Sequence, residues 1–283
     1  MIPVQHSNLL PEHIRIDSKL GSGSSSSVYK AWHTGLNKYV VIKESRHTSV
    51  RAAGTRRNEA EALKKVRSAY VPQVLDFLTK KDRSFTVMEL VEGDSIDKLL
   101  RRGAKFTETQ VIRWYRQLAS ALEAIHRRNI CHCDIKPANI MLTPAGDVCL
   151  IDFSAAMVGT NDTKLIARSP GYASPEQYAA YQNLISFRAG QGTFIAFPST
   201  LIHSIDWKRS DIYSLGAAMY HLLTGTHPPE TAGEVVPLSK LGYYDEGSIY
   251  IIERSMSIDP VLRFASASAL SHALRSIFLA TPR

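Results

Sequence analysis

Two carboxylates, an amide and a lysine fall in a spacing that suits phosphate chemistry. In His132-Cys133-Asp134-Ile135-Lys136-Pro137-Ala138-Asn139, Asp134, Lys136 and Asn139 lie close together, and Asp152 follows thirteen residues later in Ile151-Asp152-Phe153. Such a set fits a divalent cation plus a base, since Mg2+ prefers one or two carboxylates, waters and substrate phosphates. An aspartate left free of metal can accept a hydroxyl proton. A lysine two positions beyond it can offset charge on a transferred phosphoryl group. The blander reading, a polar loop after a helix, leaves the joint spacing unexplained.

Upstream, Gly21-Ser22-Gly23 follows a strand-like segment, with Val28 five residues after Gly23. Glycines at a strand end permit tight turns and close backbone approach to a phosphate, although Gly-X-Gly also marks ordinary hairpins. Lys43 closes the apolar run Val40-Val41-Ile42, twenty residues after Gly23. One strand away from the glycines, it can reach the same phosphates; the plain alternative is a solvated strand end.

The elements that must carry these residues read as a small sheet followed by helices. Val28–Trp32 and Tyr39–Lys43 are short and β-branched or aromatic, and Ile14–Leu20, Gln73–Phe77 and Ser84–Leu90 are strand-like beside them. Ala60, Leu63 and Val66 recur at helical spacing and predict one helix over Arg56–Val66. Thr107 with Gln110 forms a capping box ahead of the stripe Val111, Tyr115, Leu118, Leu122 and Ile125. A further helix is predicted from about Ser210 to Leu223, ended by Gly225, and a last one over Ala267–Phe278. The stretch between those two, with Pro228, Pro229 and Pro237, reads as loop.

The 283 residues, 44% hydrophobic and 21% charged, exclude a disordered tail, a coiled coil or a collagen-like repeat. The net charge of +8 favours polyanionic partners without choosing among them. Cys131, Cys133 and Cys149 are too few and too poorly spaced for a disulfide framework or a structural zinc site. No run approaches the ~18 apolar residues of a membrane helix, and Met1–Arg15 has no apolar signal core. A cytoplasmic protein is expected, with no membrane segment and no nucleic-acid partner.

Taken together, the glycine loop, Lys43, the loop His132–Asn139, Asp152-Phe153 and Ser169-Pro170-Gly171-Tyr172-Ala173-Ser174-Pro175-Glu176 resemble the signatures of protein kinases, from about Ile14 to Leu279. Lys136 resembles the Ser/Thr protein kinases in particular, and Pro175-Glu176-Gln177-Tyr178 resembles their eukaryotic-like bacterial form. The resemblance implies an α+β, bilobal fold: one kinase domain over 1–283, with an N-lobe of about 1–90 and a C-lobe of about 91–283. It also implies ATP and Mg2+ as cofactors and protein Ser/Thr hydroxyls as acceptors.

By the same resemblance, Lys43 would bind the α/β-phosphates and pair with Glu59, with Glu61 as the rival on another helical face. Asp134 would orient the substrate hydroxyl and take its proton, Lys136 would contact the γ-phosphate, and Asn139 and Asp152 would hold Mg2+. Leu20, Gly21, Ser22 and Gly23 would cover the nucleotide. Met88 would be the gatekeeper, Glu89 to Val91 the adenine hinge, and Val28, Val41 and Met141 the apolar walls around the ring; plain core packing suits those three equally well. Ser169 would bridge Asp134 and Lys136, Glu176 would pair with Arg263, Asp211 would anchor the catalytic loop, and His132 would be scaffold.

Three positions depart from the pattern. Ser26 replaces the third loop glycine, Ser154 the glycine after Asp152-Phe153, and Cys133 the arginine that usually clamps an activation-loop phosphate. Cys133 implies activity independent of phosphorylation in that loop, and Ser154 a disfavoured flip of Phe153. The same departures keep open a pseudokinase that binds nucleotide and partners without catalysis; a small-molecule kinase is the third reading, against which Lys136 speaks. The segment 179–207 is longer than expected and reads either as a partner-docking insertion or as a surface elaboration packed on the C-lobe.

Overall fold

The computed structural model describes residues 10–23, 26–47, 50–159, 168–188 and 204–280. These divide into two compact units, one drawn from 1–68 and 72–91, the other from 69–71 and 92–283.

In the first unit β1 (Ile14–Ser22), β2 (Ser26–His33), β3 (Lys38–Arg46), β4 (Val74–Lys80) and β5 (Arg83–Glu89) form an antiparallel sheet in the order β1-β2-β3-β5-β4. Side chains alternate across a strand, so Tyr29, Ala31, Val40, Ile42, Phe85 and Val87 share one face and, with Leu10 and Ile14, form the core. The opposite face receives Val28, Val41, Lys43 and Met88. A helix, α1 (Val50–Lys64), connects β3 to β4 and packs on β4 and β5. It starts six residues before the predicted Arg56, because alanines and arginines favour helix without declaring an apolar stripe.

The second unit is mainly helical: α2 (Ile96–Arg101), α3 (Glu108–His126), α4 (Pro175–Arg188), α5 (Trp207–Thr224), α6 (Glu246–Ser255) and α7 (Ala267–Ala280). Short strands β6 (Asp94–Ser95), β8 (Ile140–Leu142) and β9 (Val148–Leu150) make one small sheet, and β7 (Ile130–Cys131) with β10 (Met157–Val158) another. The α3 capping box forms as predicted: Thr107 Oγ1 accepts from the Gln110 amide and the Gln110 side chain accepts from the Thr107 amide. Thr107→Ala removes both the acceptor and the reciprocal geometry, and is expected to lower stability by about 1 kcal/mol in urea unfolding.

Buried on nearly all sides from Ser210 to Tyr220, α5 is the central post of this unit. Asp206 caps its start by accepting from the Lys208 and Arg209 amides, and Gly225 (φ 67°) ends it. At Gly216 a Cβ would meet the Ser255 Cβ at 2.8 Å, so α5 and α6 approach as closely as backbone allows. The predicted loop between α5 and α7 is corrected by α6. Its inward stripe is Ser248, Ile251, Ile252 and Ser255, and the two serines hid its periodicity. Among the described residues no helix is long and apolar enough to cross a membrane.

Candidate active site

The register of the first unit gathers the residues expected to meet a nucleotide. Gly21 pairs with Val28, Val28 with Lys43, and Val41 with Met88. Directly paired residues point to the same side of a sheet, so these five share the face opposite the core. Leu20 and Ser22 flank Gly21 on β1, and the Gly23 amide donates to the Ser26 carbonyl (2.8 Å), which closes the turn. Glu89 ends β5, its carboxylate held by Lys38 (3.2 Å) and the Gln73 amide (3.3 Å); Val91 follows two residues on. Met141 lies on β8, opposite Cys149, in the second unit.

Glu59 is buried on α1, whereas the carboxylate of Glu61 is solvent-facing and pairs with Lys64 (3.2 Å). Both acidic candidates belong to the unit that carries Lys43, and of the two only Glu59 is buried.

The second unit holds the tightest cluster. Asp134 Oδ1 accepts from the Ser169 hydroxyl (2.6 Å) and from Lys136 Nζ (3.1 Å), which also reaches Oδ2 (2.8 Å) and donates to Ser169 Oγ (2.8 Å). Asn139 Nδ2 donates to the Asp134 carbonyl (2.8 Å) and to its Oδ2 (3.1 Å). Every one of these neighbours is a donor, which suits a carboxylate that can only accept.

The loop is held from beneath. Asp211, almost fully buried on α5, accepts from the main-chain amides of His132 and Cys133 (both 2.8 Å) and contacts His126 Nε2 (2.9 Å). Gln177 Nε2 donates to the Cys133 carbonyl (2.8 Å). Cys133 thereby stays at φ 62°, a left-handed conformation costing a non-glycine residue about 1–3 kcal/mol. His132 is scaffold, its Nε2 on the Ile151 carbonyl (3.0 Å) and its ring edge-on to Phe153 (4.8 Å). Sequence reasoning missed Gln177 and His126, which carry no signal short of the fold.

Asp152 is likewise left-handed (φ 62°, ψ 77°). Its Oδ1 accepts from both the amide (3.3 Å) and the hydroxyl of Ser154, so the serine that replaces glycine grips the carboxylate directly. The Ile151 amide donates to the Asn139 carbonyl (2.9 Å), which sets the two expected metal ligands on neighbouring backbone. The donor set fits Mg2+: Asn139 spends its amide nitrogen on Asp134 and keeps its oxygen, and Asp152 adds a carboxylate, both hard oxygen donors.

Cys131 and Cys133 share a small apolar cluster with Met157 and Ala180, backed by Ala155, Tyr181, Ile205 and Trp207. Burial first, and Asp211 nearby second, push the Cys131 thiol well above the usual range. The sulfur of Cys131 lies within 4.8 Å of ligand atoms on His126 and Asp211. Those two, however, bond one another directly, so the trio is a hydrogen-bonded core and not a cation cage. Of the 179–207 segment, α4 and residues from 204 on are described; its packed members, Ala180, Tyr181, Ile205 and Trp207, face this cluster. Its middle, including Phe194 and Phe197, lies outside the described residues, as do Thr160 and Thr163.

Past Ser169, Glu176 forms a bidentate pair with buried Arg263 (2.6 and 2.8 Å). The Arg263 guanidinium also donates to the carbonyls of Ser257, Arg209 and Ile258 and lies over the Tyr213 ring.

The sequence pattern of the protein kinase domain family matches residues 14–241. The serine/threonine-protein kinase pkn3 of Myxococcus xanthus is 31% identical over 237 residues, covering 78% of this chain and 39% of that protein. The serine/threonine-protein kinase PknL of Mycobacterium tuberculosis is 30% identical over 240 residues, covering 82% and 54%. A probable serine/threonine-protein kinase of Clostridium acetobutylicum is 29% identical over 227 residues, covering 78% and 31%. The chain thus spans from about a third to about half of these relatives' lengths. Family pattern, relatives, the five-stranded sheet and the larger helical unit agree: the chain belongs to the protein kinase family in its bacterial serine/threonine form, a family that uses ATP and Mg2+.

Proposed function

We propose that this chain is the catalytic part of a Ser/Thr protein kinase that transfers the γ-phosphoryl group of ATP to protein hydroxyls. The observation that carries this reading is the Asp134–Lys136–Ser169 cluster, a carboxylate held in place by three side chains and a main-chain anchor. In this reading Asp134 orients the acceptor hydroxyl and takes its proton, while Lys136 on the same carboxylate offsets negative charge at the γ-phosphate. Asn139 and Asp152 would hold Mg2+, which supplies charge neutralisation on the phosphates when bound. Lys43, supported by Glu59, would bind the α/β-phosphates. Leu20, Gly21, Ser22, Gly23, Val28, Val41, Met88, Glu89, Val91 and Met141 would surround the nucleotide. Little covalent work falls to the protein; the rate comes from positioning and charge.

Activity is proposed to be independent of phosphorylation between Asp152 and Glu176. Where an arginine would clamp a phosphate, Cys133 is an apolar side chain packed with Cys131, Met157 and Ala180. The reaction draws on ATP, which supports a cytoplasmic setting.

A second reading is favoured by one feature, the Ser154 hydroxyl on Asp152, which competes with a metal for that carboxylate. It gives a pseudokinase that binds nucleotide as an interaction module. A Ser/Thr peptide array incubated with γ-labelled ATP and Mg2+ separates the two. Label on peptides is expected, at a level that phosphatase pretreatment leaves within about twofold. Nucleotide binding without label transfer would establish the pseudokinase, and loss of activity after phosphatase would remove the independence claim.

A further inference from the structure

Among the described residues, Tyr172, His221 and His227 bring three titratable rings into mutual contact. Tyr172 belongs to the turn that begins at Ser169, where the amides of Tyr172 and Ala173 both donate to the Ser169 carbonyl (3.1 and 3.0 Å). Its hydroxyl meets Nδ1 of His221, in the last turn of α5, at 2.6 Å, and the two rings stack at 6.1 Å. His227 closes the group, 5.0 Å from the Tyr172 ring and 5.5 Å from that of His221. The Nδ1 of His227 lies 2.7 Å from the Pro228 carbonyl, which can only accept, so this nitrogen carries a proton. Gly171 seals the turn from the same side: at φ +74° a Cβ would lie 2.2 Å from the Pro228 oxygen and 2.7 Å from the His227 ring. The turn is therefore gripped at both ends, by the rings at Gly171 and Tyr172 and by Asp134 and Lys136 at Ser169.

We propose that His221, acting through Tyr172, is a positioning residue for phosphoryl transfer: it fixes the turn that holds the Ser169 hydroxyl on Asp134, and it does so with Nδ1 as an acceptor. The activity arm of this inference rests on the kinase reading above; its structural arm does not.

The charges around the ring set a direction with pH. Burial first, and His227 second, lower the pKa of His221, against an opposing pull from Asp97 of α2. Burial, with Asp97 adding to it, raises that of Tyr172, which stays a donor. A depressed histidine pKa means the folded form prefers the neutral ring. The contact is then fully present above the ordinary value near 6.5 and lost as pH falls through the lowered one.

The test compares the unaltered chain with Tyr172→Phe, His221→Leu and His221→Asn, whose side-chain oxygen takes the place of Nδ1. Hydrogen exchange of residues 169–176, corrected for intrinsic rates, is followed between pH 5 and 8, alongside kcat and KM on an unphosphorylated peptide that accepts label in the array. Expected are an acid-driven loss of protection in the unaltered chain and a matching fall in kcat at constant KM for ATP. Tyr172→Phe and His221→Leu are expected to lose protection at every pH and roughly three- to tenfold in kcat, the scale of one buried hydrogen bond. Partial recovery of both readouts in His221→Asn, without the acid step, is the signature a merely structural role would not give. Protection in Tyr172→Phe and His221→Leu equal to that of the unaltered chain overturns the inference, as does an acid step that persists in His221→Asn. If no protein transfers phosphate, the kinase reading fails and the exchange data alone decide this one.

Discussion

The Asp134→Asn variant is expected to turn over peptide about 10²–10⁴ times more slowly than the unaltered chain, with KM for ATP nearly unchanged; that is the usual worth of a positioned general base. Shape is conserved, so the loss isolates the charge and the second acceptor oxygen. Four contacts from three side chains converge on this carboxylate, from Ser169, Asn139 and both approaches of Lys136. An amide accepts at one oxygen only, and its NH2 must face either the ammonium of Lys136 or the amide of Asn139, donor against donor. Steady-state phosphorylation with labelled ATP, run beside a thermal melt and a nucleotide-binding titration, makes the check. A variant within tenfold of the unaltered rate would remove Asp134 from the role of base. A variant that no longer binds nucleotide would place the residue in ground-state binding instead.

The second large effect is on stability. Arg263→Ala is expected to cost about 3–5 kcal/mol, the range for breaking one side of a buried ion pair. The guanidinium has no exposed surface, and truncation leaves the Glu176 carboxylate without its partner. It also strips donors from the carbonyls of Ser257, Arg209 and Ile258, each an orphaned acceptor in a poorly solvated place. In a thermal melt this corresponds to a drop of roughly 6–20 °C for a unit of this size. Arg263→Lys is expected to recover only part of the loss, since an ammonium cannot make the two parallel bonds to Glu176. A melting temperature unchanged in Arg263→Ala would mean the pair contributes nothing net.

How much of this was legible beforehand follows from what kind of signal each feature leaves. The α3 start was readable because a capping box is a local, four-residue agreement between side chains and the backbone they serve. The strands bearing Val28, Val41 and Lys43 were readable because short runs of β-branched and aromatic residues favour strand, whereas their faces follow only from the register of the sheet. The convergence of Asp134, Lys136 and Asn139 was legible for a different reason: the three stand within six residues of one another, so a single loop brings them together. By contrast α6 was hidden because serines occupy half of its inward stripe, and polar residues blend into a proline-rich neighbourhood. The first turns of α1 were hidden because helix propensity alone, without an apolar face, leaves no period. The Tyr172–His221 contact, 49 residues apart, exists only once α5 and the turn after Ser169 are packed together, and the Gln177–Cys133 contact, 44 apart, only once α4 meets the loop after β7. No local pattern encodes them.

The grip of Asp211 on the loop has a further meaning. Its two bonds to the loop go to peptide N–H groups, at positions 132 and 133, while its side-chain partner, His126, stands on α3. Any residue other than proline offers such a group, so the scaffold is indifferent to what decorates position 133. A thiol at that position therefore leaves the aspartate next door on the same main-chain anchor. In this architecture the anchorage of the loop and the side chain it carries at position 133 are independent of one another.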